Sequence, residues 1–307
     1  MALLTSLPSL AEYRWKGPIC PESAAPGGHF NIWRDGAGMN DKFIKYYLFL
    51  ILTLILSVPF YVLGVFFPVK GLPFGLPISF LMIFVTFGLA LYYAWQENQF
   101  VGIKKLFLSI FDAKKAERWS LIFSILCIPA VSSLAFLTQK FFDIGLPQRV
   151  MIPFSEIPFM VLLYFLGTIP EEFAWTATLS EPFSNRYGPL AAGIIIGLVW
   201  GVLHIVPWSW AHPVWWVWGM FALTVLMRIS MVYTYYLGGR SLFTSLIFHM
   251  MINVCTGIFP NSGSYFNPWF FCIWMMVFLL IQITHYKRCN CVRWKVAFIL
   301  NKKRRII

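Results

Sequence analysis

Long apolar runs constrain the fold of this chain more than any other feature. Most are roughly 18–25 residues long, the length that crosses a bilayer as a helix. Hydrophobic residues make up 59% of the chain and charged residues 12%, whereas a soluble domain carries about 25% charged residues. The sequence predicts an all-α polytopic membrane protein, one bundle of about eight transmembrane helices. The predicted spans are 43–67, 72–95, 119–139, 151–181, 189–210, 214–237, 241–260 and 266–286.

Basic residues predict the orientation of this bundle. An even number of spans leaves both termini on one side, and all but four of the 24 Lys and Arg residues fall there. The positive-inside rule therefore predicts an integral protein of the plasma membrane with both termini cytoplasmic. We expect an N-terminal cytoplasmic tail (1–42), a transmembrane domain (43–286) and a basic C-terminal tail (287–307). The net charge of +12 is then explained by anionic lipid rather than by nucleic acid, which we do not expect as a partner.

Two adjacent carboxylates, Glu171 and Glu172, lie inside the fourth predicted span. One ionised carboxylate at bilayer depth already costs about 2.5 kcal/mol or more. Two neighbouring carboxylates also repel each other unless one is protonated or finds a cationic partner. Packing alone does not explain such a pair, so these residues are the first candidates for chemistry.

Three further polar residues lie inside spans: His204, His249 and Asn253. The spacing of four between His249 and Asn253 places both on one helix face. With Glu172, these residues lie about 12–22 Å from the predicted cytoplasmic ends of their helices at 1.5 Å per residue. We therefore expect a shared, water-accessible polar cavity near the middle of the membrane.

These residues match three motifs of a known family. The chain resembles the CAAX prenyl protease and bacteriocin-processing family of intramembrane proteases, also called Abi. Glu171-Glu172 matches its Glu-Glu-x-x-x-Arg motif, Trp200 and His204 its aromatic-x-x-x-His motif, and His249 with Asn253 its His-x-x-x-Asn motif. The resemblance covers about residues 150–260, and the three motifs occur in the family's order.

The resemblance implies an endopeptidase that hydrolyses a membrane-associated or lipidated peptide with water activated by glutamate and histidine. Glu171 is then the general base and His204 helps to hold the water. His249 and Asn253 donate hydrogen bonds to the oxyanion, while Glu172 orients Glu171 or stabilises the site. A zinc version, with Glu171, His204 and His249 as ligands, stays open because two imidazoles and a carboxylate form a typical catalytic set.

One position departs from the family pattern. The motif arginine is replaced by Thr176, which cannot form the forked ion pair of a guanidinium. Arg228, the one arginine within a predicted span, either neutralises a glutamate or extends to the membrane surface. The alternative function is therefore a non-catalytic member, such as a bacteriocin immunity factor or a scaffold. A proton-coupled transporter is a third reading, because Glu and His chains also relay protons.

Overall fold

The structure is a computed structural model that describes residues 41–66 and 78–304, with side chains for 43–66 and 80–289. All regular structure within these residues is helical, which confirms the predicted all-α class. Short 3₁₀ helices, Ile78–Met82 and Ser109–Lys115, precede and follow the second α-helix. The α-helices are α1 (Asp41–Phe66), α2 (Ile83–Leu108), α3 (Arg118–Phe141), α4 (Ile157–Glu172), α5 (Glu181–Ser209), α6 (Val214–Leu237), α7 (Leu242–Ile258) and α8 (Pro268–Arg304).

By length and composition, six helical stretches in the described residues are able to cross a membrane. One of them, Ile157–Ser209, covers most of two predicted spans because the helical segment Phe173–Ser180 joins α4 to α5. This run is interrupted at Gly188, whose φ of +83° is open to glycine but unfavourable for other residues. With the shorter apolar helix α7, the helices form the predicted polytopic bundle.

The second helix bends where the predicted membrane span ends. Asn98 and Gln99 have non-helical backbone angles, and the helix resumes after them as far as Leu108. Phe100 and Phe111 beyond the bend are largely exposed, whereas Leu106 is buried against the bundle. Such a two-sided segment is expected where a chain lies along a membrane surface.

Two large apolar clusters form most of the interior, and α7 contributes to both. The first joins α1, α2, α5 and the segment after α4 with Leu242 and Leu246 of α7. The second joins α3, α6 and α8 with Phe248 and Ile252 of α7. His249 follows Phe248 and is 2% exposed, so this polar residue lies in the helix that connects the two clusters.

Helices α5 and α6 approach closely along a row of glycines: Gly193, Gly197 and Gly201. A Cβ on Gly193 would lie 2.6 Å from Ile229 Cα, and one on Gly197 would lie 3.0 Å from Val225 Cα. Small residues every four positions allow such close backbone contact between membrane helices. The close contact brings the α6 residues near Arg228 within reach of α4.

Candidate active site

Four hydrogen-bond donors surround the carboxylate of Glu172, which is fully buried. Arg228 binds it in a fork, Nη2 to Oε1 at 2.9 Å and Nη1 to Oε2 at 3.0 Å. His249 Nδ1 lies 2.8 Å from Oε1, and Thr176 Oγ1 donates to Oε2 at 2.5 Å. A carboxylate has about four acceptor positions, so each oxygen receives two donors and the group is saturated.

The cation that faces Glu172 comes from α6 rather than from the motif position. Arg228 is fully buried, and its guanidinium carbon lies 4.2 Å from the centre of the Trp200 ring. Thr176 stands where the motif has arginine, and its hydroxyl lies 3.5 Å from Arg228 Nη1. The sequence left two roles open for Arg228, and the structure places it as the partner of Glu172.

The other glutamate, Glu171, has a different environment. Its side chain is half-buried, and Oε2 accepts a hydrogen bond of 2.7 Å from the indole nitrogen of Trp200. Within the described residues this is the one side-chain donor to Glu171. The second oxygen therefore keeps lone pairs with which to accept a proton from water.

Both histidine rings are held through Nδ1. In His204 this atom lies 2.8 Å from the backbone carbonyl of Trp200, and in His249 it faces the Glu172 carboxylate. The carbonyl has no proton to give, and the carboxylate already faces a guanidinium, so each Nδ1 carries the hydrogen and donates it. In the neutral form each ring then presents Nε2 as an acceptor.

Trp200 contacts both histidines and Glu171, and Arg228 links it to Glu172. Its ring packs edge-on against His204 and His249, with centroid distances of 5.8 Å and 5.1 Å. Glu171, Glu172, His204 and His249 therefore form one connected cluster, in which Arg228 contacts both Trp200 and Glu172. Asn253 lies one turn beyond His249 on α7 and is half-buried, but none of the described hydrogen bonds involves its carboxamide.

The helix that carries the glutamates widens directly after them. Residues Phe173–Ser180 form a π-helix, a rare geometry that is frequent at functional sites. The hydroxyls of Thr178 and Ser180 donate to carbonyls five residues earlier, at 2.7 Å and 2.9 Å. Pro170 does not end α4, which continues through it to Glu172, so the helix widens after the glutamates and not before them.

The zinc ligand set proposed from the sequence is not assembled by the described residues. Glu171, His204 and His249 belong to the cluster, yet no three His, Cys, Asp or Glu side chains there are grouped to hold a metal ion. Each Nδ1 is bonded to the kind of partner that orients metal ligands, while Trp200 contacts both Glu171 and His249. The described side chains are therefore not grouped as a three-ligand site, and the zinc version stays open.

A cavity of about 1070 Å³ opens at the end of the bundle where the basic residues gather. Ala177 and Thr178 line it, and they lie within about two helical turns of Glu171. The five predicted site residues are not among its lining residues, so it lies beside the cluster rather than around it. Its charged lining residues are Lys45, Lys105, Lys115, Arg186, Arg240, Glu97, Asp112 and Glu181.

A known family matches the part of the chain that carries this cluster. The model described as type II CAAX prenyl endopeptidase Rce1-like matches residues 153–255. The matched range begins just before α4, ends within α7 and includes all five predicted site residues. It confirms, over that part of the chain, the resemblance inferred from the three motifs. No curated protein matches the chain.

Sequence reasoning did not find two features of this cluster. Trp200 was identified as the motif aromatic, but its indole N–H donor to Glu171 was not foreseen. The glycine row of α5 was also missed, although glycines at 193, 197 and 201 are visible in the sequence. A search for small residues every four positions within a span finds that row.

Proposed function

We propose that this protein is an intramembrane endopeptidase of the CAAX prenyl protease type. Its substrate is a membrane-associated or lipidated peptide, and its nucleophile is a water molecule activated by Glu171. The observation that carries the assignment is the contrast between the two glutamates. Glu172 is saturated by four donors, whereas the one described donor to Glu171 is Trp200.

The hydrolysis then follows from the proton positions. Glu171 takes a proton from water, and the resulting hydroxide attacks the scissile carbonyl carbon while Nε2 of His204 orients the water as an acceptor. The tetrahedral oxyanion receives hydrogen bonds from the Asn253 amide and from His249 Nε2–H. Glu171 finally gives its proton to the leaving amine, so the base is restored and water has been divided between the two products.

His249 takes part as an imidazolium that keeps both ring protons throughout the reaction, with Nδ1–H pointing to Glu172 and Nε2–H to the oxyanion. A carboxylate behind an imidazole stabilises that charged form as negative charge develops on the substrate. Glu172 therefore acts on the reaction through His249 rather than as a second base. This role agrees with its complete burial and its saturated oxygens.

The cavity at the basic end offers a route for the polar part of a peptide. It is large, it contains charges of both signs, and it reaches the π-helical segment that follows the glutamates. A lipid anchor on the same substrate would remain among the exposed apolar side chains on the outside of the helices. The substrate class is therefore a peptide that is anchored in the bilayer and cleaved near its surface.

The alternative is a non-catalytic membrane factor, such as an immunity protein or a scaffold. Thr176 is the sequence feature that favours it, because the motif arginine is missing. That argument loses force when Arg228 supplies a guanidinium to the same glutamate from α6. We therefore favour the peptidase.

Cleavage of a fluorescent prenylated peptide by the purified protein in detergent tests this proposal. Glu171→Gln should abolish cleavage while the protein remains folded, because a carboxamide cannot accept the proton from water. Glu156→Gln is the matched control, since Glu156 is exposed at the start of α4 and should keep the native rate. Native-rate cleavage by Glu171→Gln would contradict the assignment of the base.

A further inference from the structure

Within this proposed function, we infer that Arg228 is a positioning residue that does the work of the missing motif arginine from a different helix. It reaches Glu172 from α6, 56 residues away in sequence. The fork with Glu172 aligns the carboxylate, and the aligned carboxylate holds His249 by its Nδ1 hydrogen. Arg228 thus acts on the reaction through two other side chains and contacts no substrate.

The geometry makes Arg228 the centre of the network rather than a passive counterion. Its two terminal nitrogens occupy one position on each oxygen of Glu172, which leaves one position on each for His249 and Thr176. Its guanidinium also lies over the Trp200 ring, and Trp200 donates to Glu171. Arg228 therefore orients Glu172, which holds His249, and packs against Trp200, which donates to Glu171.

Thr176, at the position of the motif arginine, leaves the Glu172 carboxylate free for Arg228. An arginine there would compete with Arg228 for the same carboxylate, whereas the threonine hydroxyl donates to Glu172 and stays within 3.5 Å of Arg228. Gly197 also contributes, because a Cβ at that position would lie 3.1 Å from Arg228 Cβ. The small residues at 176 and 197 give the arginine its path to Glu172.

The first experiment compares Arg228→Met with the relocated pair Thr176→Arg/Arg228→Met. Methionine removes the fork, and the resulting misplacement of His249 should lower the cleavage rate by about 100-fold. The relocated pair returns a guanidinium to the motif position and should cleave at least about tenfold faster than Arg228→Met. Arg228→Lys should recover less, since an ammonium cannot bind both oxygens in one plane.

The double variant Glu172→Gln/Arg228→Met, called the neutral pair, distinguishes a purely structural role of Arg228 from a positioning role. It removes both buried charges together, which proteins often tolerate, so it should fold even if Arg228→Met does not. We expect the neutral pair to be as inactive as Arg228→Met, because the carboxylate behind His249 is gone. Native activity in this folded pair would overturn the inference and leave Arg228 as a mere counterion.

A second readout does not depend on cleavage. Nitrogen NMR of protein with isotope-labelled histidine reports which ring nitrogen of His249 is protonated, with His249→Gln used for assignment. The hydrogen on Nδ1 should be present in the native protein and in the relocated pair, and lost or exchanging in Arg228→Met. An unchanged signal in folded Arg228→Met would contradict the inference. If this pattern holds while Glu171→Gln still cleaves, the positioning stands and the proposed function fails.

Discussion

The contact between α5 and α6 at Gly193 yields a quantitative prediction. An added Cβ would lie 2.6 Å from Ile229 Cα, whereas carbon atoms in contact prefer about 3.5–4.0 Å. Because the opposing atom is backbone, α6 itself has to move, by roughly 1 Å. Arg228 precedes Ile229, so its bonds to Glu172 of 2.9 and 3.0 Å would stretch beyond about 3.5 Å and be lost.

Gly193→Ala should therefore impair both stability and cleavage. Overpacking of this kind costs about 1–3 kcal/mol, partly offset by the better helix propensity of alanine, about 1 kcal/mol. A shift of about 1 Å at a catalytic constellation lowers the rate by about 100-fold. We expect the activity loss to exceed what the small stability change explains, because the folded variant would still carry a displaced Arg228.

The matched control is Gly88→Ala in α2, where nothing lies within 4 Å of the added Cβ. Thermal unfolding in detergent and cleavage of the fluorescent peptide are measured for both variants. Gly88→Ala should keep its activity and gain slightly in stability. If Gly193→Ala cleaves and unfolds like this control, the reasoning that α6 is held in place by the glycine row is refuted.

Three further predictions concern the donor to Glu171, the start of α7 and the zinc version. Trp200→Phe keeps an aromatic ring at this position but removes the indole N–H that donates to Glu171, and should lower the rate by about 10–100-fold; an unchanged rate means that the indole bond does not orient the base. Asp112→Ala removes the acceptor for Ser241 and for the Phe243 amide at the start of α7. It should cost about 1 kcal/mol of stability in thermal unfolding, and no change would show that this cap is not needed. Chelation followed by zinc addition tests the zinc version: activation of water by Glu171 alone predicts unchanged cleavage, and loss on chelation with recovery on zinc addition would contradict it.

Much of the fold and part of the site follow from local patterns. The apolar runs predict where helices lie because a membrane leaves few other structures open to the backbone. The spacing of His249 and Asn253 predicts a common face because a helix repeats every 3.6 residues. The two adjacent glutamates indicate a special site because burying them is so unfavourable.

Such local patterns do not predict which residues of the cluster bind each other. Glu171 and Glu172 are neighbours with the same side chain, and only the rotation of α4 decides which of them faces Arg228. The partnership of Arg228 and Glu172 joins residues far apart in the chain, so no local spacing encodes it. The bend at Asn98 also depends on packing, since neither Asn98 nor Gln99 is a strong helix breaker.

The most direct test of this account is single-turnover cleavage of a prenylated peptide in water labelled with heavy oxygen. If Glu171 activates water for direct attack, the new carboxyl group of the first product carries one labelled oxygen, and Glu171→Gln gives no product. A first-turnover product without label would mean that a protein group attacks the substrate instead. That result would contradict the proposed role of Glu171.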